Sequence, residues 1–353
     1  REERKNGSAL ITVLWILIFL SVLAFSFAFN ARIELRLASY HRKKVKAESL
    51  ANSGMEVARM LMMKSEDLKK IKDPESDEAQ EAMEQWWYQA AKRLSDGLTV
   101  NGLRHSLGDG EIVMDIVPEP ARRNINVLDM DDWARVLQVG GVPEEMWPGL
   151  VDSIMDWTDR DSVTRLDGAE TEDYYALLSP PRRAGNGPFN TVDELLLVKD
   201  FNEAILYGGV LNTEFGDEES AIEVSGIADM LTVYSERVRR GRGRRDTVNI
   251  NAVSERVLLT LPGIDENIAA IIVEEREGWE DENGVVQDSS FRSVEDFLAR
   301  VPEVDASIGR YISTTSSIYG INLVGTVGGV ERKVKCVASF SGRELHVLEW
   351  TEE

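Results

Sequence analysis

Residues 8–29 read SALITVLWILIFLSVLAFSFAF, a run without a single charged side chain. About 20 apolar residues in a helix are needed to cross the hydrocarbon core of a bilayer, so the run predicts a transmembrane helix at 8–29. A cleaved secretory signal has a shorter apolar region and a small-residue cleavage site after it. Here the run continues into Asn30-Ala31-Arg32 and more helical sequence, and we therefore expect the span to be retained.

The helix is predicted to continue beyond the span, over 30–66. No proline occurs before Pro74, and small or apolar residues recur at steps of three and four, the spacing of a helix with one buried stripe. The stripe comprises Ala47, Leu50, Ala51, Gly54, Met55, Ala58, Leu61 and Met62. The pattern predicts one long helix, embedded in a membrane over its first half and packed on a domain over its second.

Composition and charge limit the class of protein and the partners that can be expected. Its 353 residues are enough for two or three compact units, and 43% hydrophobic with 29% charged residues is an ordinary globular composition. The 62 acidic residues outnumber the 40 lysines and arginines, and a net charge of −22 repels phosphate backbones, so no nucleic-acid partner is expected. The single cysteine, Cys336, excludes an intrachain disulfide and is predicted to be a buried strand residue.

Two distant regions carry β patterns. Alternation over Glu111–Val117 predicts a strand, and Ser316–Trp350 is typical of an antiparallel meander with hairpin turns at Gly328-Gly329 and Ser341-Gly342. Regions 67–127 and 313–353 are therefore expected to complete one small antiparallel sheet packed on the N-terminal helix. The fold class predicted is α+β.

An internal repeat lies between these regions. Arg123-Asn124-Ile125-Asn126 matches Val248-Asn249-Ile250-Asn251, and Phe189–Leu196 matches Phe291–Leu298. The interval between the two motifs is longer in the first copy, and the excess is placed in the acidic loop 156–188. The repeat predicts two inserted helical subdomains, at 128–210 and 247–312, joined by a linker at 211–246 that contains a Gly/Arg run.

The second copy contains a candidate helix-hairpin-helix. Leu261-Pro262-Gly263-Ile264 fits its turn, but nucleic-acid-binding versions place a second glycine where this chain has Asp265. A carboxylate at that position repels a phosphate, so the hairpin is interpreted as a packing unit. A membrane-anchored helix-hairpin-helix DNA-binding receptor is kept as the alternative function.

The segment before the span is a short polar leader, 1–7, that ends in Gly7. It resembles the class III signal of type IV prepilins, with an ordinary signal anchor as the alternative. The resemblance implies cleavage after Gly7 by a membrane peptidase, which leaves Ser8 as the mature N-terminus. Because the leader lacks an initiator methionine, we expect it to be incomplete.

Position 12 departs from the prepilin pattern. Most pilins carry a glutamate at the fifth mature position, where it pairs with the N-terminal ammonium of a neighbouring subunit, whereas this chain has Thr12. A hydroxyl cannot neutralise a buried ammonium, so Thr12 suits a subunit with no neighbour above it.

The acidic loop is the candidate site for chemistry. Calcium binds six to eight oxygens at loose geometry, and such a loop supplies them. The loop does not fit an EF-hand, because Arg160 and Val163 interrupt the alternation. A solvated acidic surface is the alternative, and nothing marks a nucleophile or base, so no enzyme is expected. The candidate calcium ligands are Asp156, Asp159, Asp161, Asp167, Glu170 and Asp173.

These features occur in a characteristic order. The leader, Thr12, the doubled Asn-x-Asn units, the Asp-Trp-x-Asp-x-Asp loop that leads to Asp173-Tyr174-Tyr175, and the Leu-x-Leu-Val at 195–198 follow one another along nearly the whole chain. In this order they resemble the minor pseudopilin K family of type II secretion, also called general secretion pathway protein K. The resemblance implies a pilin-like α/β roll, an inserted all-α region of two helix-hairpin-helix or SAM-like subdomains, and bound calcium. It also implies a structural role at the tip of the pseudopilus, in initiating the fibre and supporting the export of folded proteins.

Partners and location follow from the same resemblance. It implies assembly with the I, J and H types of minor pseudopilin and with the major pseudopilin, and contact with the secretin and exported substrates. A single pass through the inner membrane with the domain in the periplasm is expected. The basic residues that follow the span outnumber those before it, which by the positive-inside rule alone predicts the reverse. Large domains translocate largely regardless of local charge, and we therefore keep the periplasmic orientation.

Overall fold

One continuous helix, α1 (Lys5–Leu68), runs through 64 residues from the leader to the domain. The structure is a computed structural model that describes residues 5–71, 81–215, 218–234, 247–277, 279–280, 286–287 and 289–352. The large apolar side chains of the span, such as Trp15 and Phe27, are exposed, and the helix is long and apolar enough to cross a membrane. Without an internal proline nothing interrupts its hydrogen bonds.

The other elements follow in chain order. The helices after α1 are α2 (Tyr88–Ser95), α3 (Met130–Gly140), α4 (Trp147–Thr158), α5 (Glu203–Tyr207), α6 (Glu255–Leu259), α7 (Glu266–Glu277) and α8 (Val294–Arg300). The strands are β1 (Val100–Leu107), β2 (Gly110–Pro118), β3 (Arg123–Asn124), β4 (Gly209–Phe215), β5 (Glu218–Val224), β6 (Leu231–Thr232), β7 (Val248–Asn249), β8 (Trp279–Glu280), β9 (Val286–Gln287), β10 (Ile312–Ser313), β11 (Ile318–Val327), β12 (Val330–Ser341) and β13 (Glu344–Glu352).

A five-stranded antiparallel sheet unites the two distant β regions, as predicted. Its order is β1-β2-β11-β12-β13, and the β2–β11 pairing places Ile116 opposite Ile321. The turn at Gly328-Gly329 is confirmed, whereas the second turn falls one residue later than predicted, at Gly342-Arg343, where both residues have positive φ. Strand β1 was not predicted, because its side chains are mostly exposed and show no apolar alternation.

The second half of α1 packs on one face of this sheet. All eight residues of the predicted stripe are buried. They meet a layer of buried strand residues that includes Met114, Leu323 and Cys336. Burial raises the pKa of the Cys336 thiol to about 11, which agrees with the predicted buried strand residue. The fold class predicted, a long N-terminal helix on a small antiparallel sheet with an inserted helical region, is thus confirmed.

Glycine sets how closely α1 approaches the sheet. A Cβ atom on Gly325 of β11 would lie 2.2 Å from the backbone oxygen of Ala47 and 2.7 Å from the backbone nitrogen of Ala51. A Cβ on Gly54 would lie 2.8 Å from Cδ2 of Leu323. The helix therefore touches the sheet through its backbone at this point, which only glycine permits.

Each copy of the repeat is closed at its base by a short parallel ladder. β3 pairs with β6 around the first copy, and β7 pairs with β10 around the second. The two copies share one hydrophobic core, in which Trp133 of the first and Phe297 of the second are fully buried. The helical insert is therefore one body of two related halves.

The Asn-x-Asn motif has the same role in both halves. Asn126 donates through Nδ2 to the backbone oxygen of Phe189 (3.0 Å) and accepts through Oδ1 from its backbone N–H (2.7 Å). Asn251 makes the same pair of bonds with Phe291, both at 2.9 Å. The first asparagine of each motif accepts from the backbone N–H of the second. Two buried peptide groups are satisfied in this way across intervals of 63 and 40 residues.

A buried ion pair joins the two halves. Arg123 is fully buried, lies 2.9 Å from the Asp132 carboxylate, and donates to the backbone oxygen of Thr260 (2.8 Å) in the other half. Burial by itself raises the pKa of Asp132, but the charge and hydrogen bond of Arg123 outweigh it, and the pKa lies below its usual value.

The first half differs from the sequence prediction in two places. The linker expected at 211–246 contains most of an antiparallel hairpin, β4–β5, and strand β6, because Leu211 and Val224 are buried on the helical core. The Gly/Arg run, 237–245, lies outside the described residues. The extra residues of this half do not all lie in the acidic loop, where the sequence predicts them. Helix α3 has 11 residues where α6 has 5, and only the remainder of the excess lies in the loop after α4.

Substitution of Gly325 by alanine is expected to destabilise the protein by about 1–3 kcal/mol, because the new methyl group overlaps the backbone of α1. The thermal unfolding of the full-length chain in detergent measures this effect. Gly187→Ala is the matched control: its Cβ has no neighbour closer than 3.8 Å and its φ is ordinary. Equal unfolding temperatures for the two variants would contradict the proposed close contact.

Candidate metal centre in the acidic loop

The acidic loop begins where α4 ends. Pro148 occupies the first turn of α4, where a proline is tolerated, and the last turn carries Asp156 and Trp157, both buried. Asp159 follows as the first residue beyond the helix. The loop therefore starts from a rigid helix end that fixes its first carboxylates.

Three carboxylates meet in this loop. Asp159, Asp161 and Glu170 each offer an oxygen, and these oxygens lie within 4.8 Å of one another. Glu170 is 2% exposed, and its Oε1 has no hydrogen-bond partner among the described residues. Oδ1 of Asp159 is likewise buried without a partner. Buried oxygens without a donor are costly unless another group binds them.

The electrostatics of Glu170 follow from this position. Burial raises the pKa of its carboxyl group, and the charges of Asp156, Asp159 and Asp161 raise it further, although the backbone N–H of Thr171 donates to Oε2 and opposes the shift. A carboxyl whose pKa is raised by folding costs stability once it ionises. The loss grows as the pH rises from the unfolded pKa through the folded pKa.

Arg165 is the cation of the site. Its Nη1 lies 2.6 Å from Oδ1 of Asp156 and 2.8 Å from Oδ2 of Asp159. Its backbone N–H also donates to Oδ2 of Asp156 (3.1 Å). The hydrogen bonds that the guanidinium donates to Asp159 and, to a lesser extent, to Asp156 raise its pKa. Sequence reasoning did not assign a role to Arg165, although a basic residue inside an acidic run was a usable signal.

The other predicted ligands make different contacts. Asp173 accepts from the hydroxyl of Thr164 (2.7 Å), which lowers the pKa of its carboxyl, and from the backbone N–H of Glu170 (2.9 Å). Asp167 is exposed, and its backbone N–H donates to Asp152 (3.2 Å). Of the six predicted ligands the structure brings together Asp159, Asp161 and Glu170. Asp156 is joined to them through Arg165.

Gly168 has a specific place in the loop. A Cβ on this residue would lie 2.0 Å from Oδ2 of Asp156. Its φ is not in the left-handed region, so glycine is needed here because the chain passes directly over a buried carboxylate.

Aromatic rings form the floor of the loop. Trp157 and Tyr175 pack edge to face with ring centroids 5.0 Å apart, and Tyr174 packs on Tyr175 at 5.1 Å. Burial raises the pKa of Tyr175 to about 12, and its phenol oxygen accepts from the backbone N–H of Lys199. These contacts hold the carboxylates on a packed surface.

The donor set fits a hard divalent cation. Carboxylate oxygens are the ligands of calcium, three of them converge here, and two of the side chains keep an oxygen without a hydrogen-bond donor. Asp159, Asp161 and Glu170 are the residues that would hold such an ion. Backbone oxygens and water would complete its coordination shell.

The remaining site residues lie on α1 and α7. Gly7, Ser8 and Thr12 all lie within α1. Asp265 accepts through Oδ1 from the backbone N–H of Ile268 (2.9 Å) in the first turn of α7, so its carboxylate occupies the helix N-terminus where a phosphate would bind. The helix-hairpin-helix itself stays a prediction.

A long helix with an exposed apolar first half and a second half packed on an antiparallel sheet is the arrangement that the resemblance to a pilin-like roll predicted. Residues 113–207 match the family model of type II secretion system protein K. The type II secretion system protein K of Pseudomonas aeruginosa is 23% identical over 257 residues, which cover 68% of this chain and 73% of that protein. The predicted resemblance to minor pseudopilin K is therefore confirmed.

A solved structure shows the same fold. It is the GspK-GspI-GspJ complex of the type 2 secretion system of enterotoxigenic Escherichia coli. The matched chain is 15% identical, with a TM-score of 0.55, over 92% of this chain and 99% of that chain. The likeness thus extends over most of the chain.

Substitution of Glu170 by glutamine is expected to affect the stability of the metal-free protein and of the calcium-bound protein differently. In EGTA at neutral pH the variant should be as stable as the wild type or more stable, because a buried ionised group becomes neutral. In calcium the wild type should gain about 2.7 kcal/mol at 100 times its Kd, and the variant should gain less. Thermal unfolding with and without calcium measures both effects.

Glu172→Gln is the control for this experiment, because Glu172 is an exposed acid of the same loop and is not one of the three converging carboxylates. It should keep the calcium response of the wild type. An equal calcium response in the Glu170 variant and the wild type would exclude Glu170 as a ligand.

Proposed function

We propose that this chain is a minor pseudopilin at the tip of the type II secretion pseudopilus. It initiates fibre assembly with other minor pseudopilins and supports the export of folded proteins across the outer membrane. The observation that carries this proposal is the position of the helical insert relative to the membrane-spanning half of α1.

Three contacts orient the sheet along α1. The β11–β12 turn lies beside Lys43, whose Nζ donates to the backbone oxygen of Gly328 (3.1 Å). The β1–β2 turn lies beside Lys46, whose Nζ donates to the carboxylate of Asp109 (2.6 Å). The β12–β13 turn lies at the other end, where Arg343 pairs with Asp67. About 36 Å of helix separates Lys43 from Asp67 at 1.5 Å per residue.

The insert joins the sheet at the end away from the span. Strand β2 leaves the sheet at Pro118 and β11 returns at Ile318, which are the ends opposite the turns at Asp109 and Gly328. The helical insert is thus attached where α1 is farthest from its apolar half. A subunit with this large body at its distal end suits the end of a fibre better than its shaft.

Thr12 supports the same position. It lies in the apolar half of α1 at the point where most pilins offer a carboxylate to the next subunit. A neutral hydroxyl provides no counter-charge for an ammonium in hydrocarbon. The subunit therefore accepts no neighbour above it and begins the fibre.

The partners proposed are the I and J types of minor pseudopilin, with the H type and the major pseudopilin below them. The solved relative from Escherichia coli is a complex of GspK with GspI and GspJ, and this chain shares its fold. The secretin and exported substrates are proposed as contacts of the distal body. The role is structural rather than enzymatic.

Calcium is proposed as the ligand of the acidic loop, held by Asp159, Asp161 and Glu170. Its support is the convergence of three carboxylates with oxygens that have no donor. Bound there, the ion would neutralise carboxylates that otherwise repel one another and would stiffen the loop.

The chain is proposed to lie in the inner membrane, with one span and its domain in the periplasm, after cleavage between Gly7 and Ser8. Mass spectrometry of the protein isolated from membranes should find Ser8 as the N-terminal residue. A Gly7→Val variant should keep its leader, because a branched side chain then occupies the position before the cut. Recovery of an uncut wild-type chain would refute the prepilin assignment.

Assembly is expected to be visible by cross-linking in membranes. The tagged chain should be recovered with the I and J pseudopilins, and its deletion should block secretion of folded proteins while their export to the periplasm continues. A chain recovered alone from a strain that secretes normally without it would contradict the proposal. A tight shift of DNA in a gel at low salt would instead favour the DNA receptor.

A further inference from the structure

Asp159 belongs to two groups at once. Its Oδ2 accepts from the guanidinium of Arg165 at 2.8 Å, whereas its Oδ1 is buried and has no donor among the residues that the structure describes. Its carboxylate also converges with those of Asp161 and Glu170. The same side chain therefore binds the guanidinium of Arg165 and is also one of the groups that would bind a metal ion.

The charge of the cluster makes this sharing significant. Asp156 is fully buried, and together with Asp159, Asp161 and Glu170 it places four carboxyl groups in one loop. Among the ion pairs of the described residues, only those of Arg165 reach this cluster. Buried carboxylates need a compensating cation, and in the metal-free chain Arg165 is the one that supplies it.

We propose that Arg165 is a built-in counter-ion of the acidic loop that competes with calcium for Asp159. This inference rests on the calcium part of the proposed function and adds its regulation. In the metal-free protein the guanidinium stabilises the closed loop. When calcium binds, the charge of Arg165 opposes the charge of the ion, and the guanidinium contact with Asp159 is weakened or lost.

The geometry allows this exchange without unfolding the loop. The Arg165 side chain is 38% exposed, so the guanidinium has a path into solvent. The backbone N–H of Arg165 keeps its bond to Oδ2 of Asp156, and Gly168 packs against the same carboxylate. The loop is thus fixed at Asp156 by its backbone, and the guanidinium can release Asp159 while Nη1 keeps its contact with Oδ1 of Asp156.

The proposal differs from a purely positioning role for Arg165. If the guanidinium instead holds Asp159 in the orientation that calcium needs, removing it weakens calcium binding. If the guanidinium competes with the ion, removing it strengthens calcium binding. The two roles predict opposite signs for one measurement.

The test is isothermal titration of the full-length protein in detergent micelles with calcium chloride. Arg165→Gln should bind calcium about 10-fold more tightly than the wild type, within the usual range for coupling between adjacent groups. In EGTA the same variant should unfold at a lower temperature than the wild type, because Asp156 loses its counter-charge. Arg165→Lys keeps the charge and should remain close to the wild type in both measurements.

Arg160→Gln is the matched control. Arg160 is an exposed residue of the same loop, so its substitution makes the same change of net charge without touching a carboxylate of the described cluster. It should leave the calcium affinity within about twofold of the wild type, since exposed charges are well screened. An equal gain in affinity from Arg160→Gln would show a general charge effect and overturn the proposal.

The outcomes separate this inference from the calcium proposal. If the wild type binds calcium and Arg165→Gln binds it with equal or lower affinity, the proposed competition is wrong, but the calcium site is supported. Binding in Arg165→Gln alone would support competition strong enough to block the site. Absence of calcium heat in every variant would remove both, without bearing on the role at the pseudopilus tip.

Discussion

The contact between α1 and the sheet is the interaction on which the rest of the structure depends. Gly325 brings β11 against the backbone of α1 at Ala47, and the small residues of the stripe leave no gap between them. Each side chain in this layer belongs to a close-packed core, where a single added methyl is costly. Because the same helix continues into the apolar span, this contact joins the domain directly to the part of the chain that is long and apolar enough to cross a membrane.

The insert is held to this base by polar groups as well as by its own core. The ladders β3–β6 and β7–β10 close its two halves, and Asn251 also donates to the backbone oxygen of Asp96, next to α2 of the roll. Arg123 joins one half to the other through Thr260. Buried polar groups of this kind specify one arrangement, since any other leaves a donor or acceptor unsatisfied.

The acidic loop follows a different principle. Its aromatic floor and Asp156 are buried, whereas Asp159 and Glu170 each keep a buried oxygen that has no hydrogen-bond partner among the described residues. We therefore expect the stability of this loop to depend on the cation that compensates its carboxylates. An arginine of the chain supplies one positive charge and a divalent ion would supply two, so the ion would offset more of the carboxylate charge than the arginine does.

The sequence by itself determined the span, the buried stripe of α1, the α+β class, the pairing of two distant β regions and the presence of a repeat. The span, the stripe and the strands follow from local composition and periodicity, which report the side of a helix or strand that is buried. The repeat follows from two pairs of matched motifs, and the pairing of the β regions from the pilin-like roll that the resemblance implies. Only the tertiary structure decided that Asn126 and Asn251 form hydrogen bonds with peptide groups 63 and 40 residues away. It also placed the hairpin β4–β5 where a linker was expected. It further showed that Arg165 forms ion pairs with Asp156 and Asp159. Six acidic residues in one loop look alike in a sequence, because which of them converge depends on how the loop folds over Trp157 and Gly168, and that path is set by contacts distant along the chain.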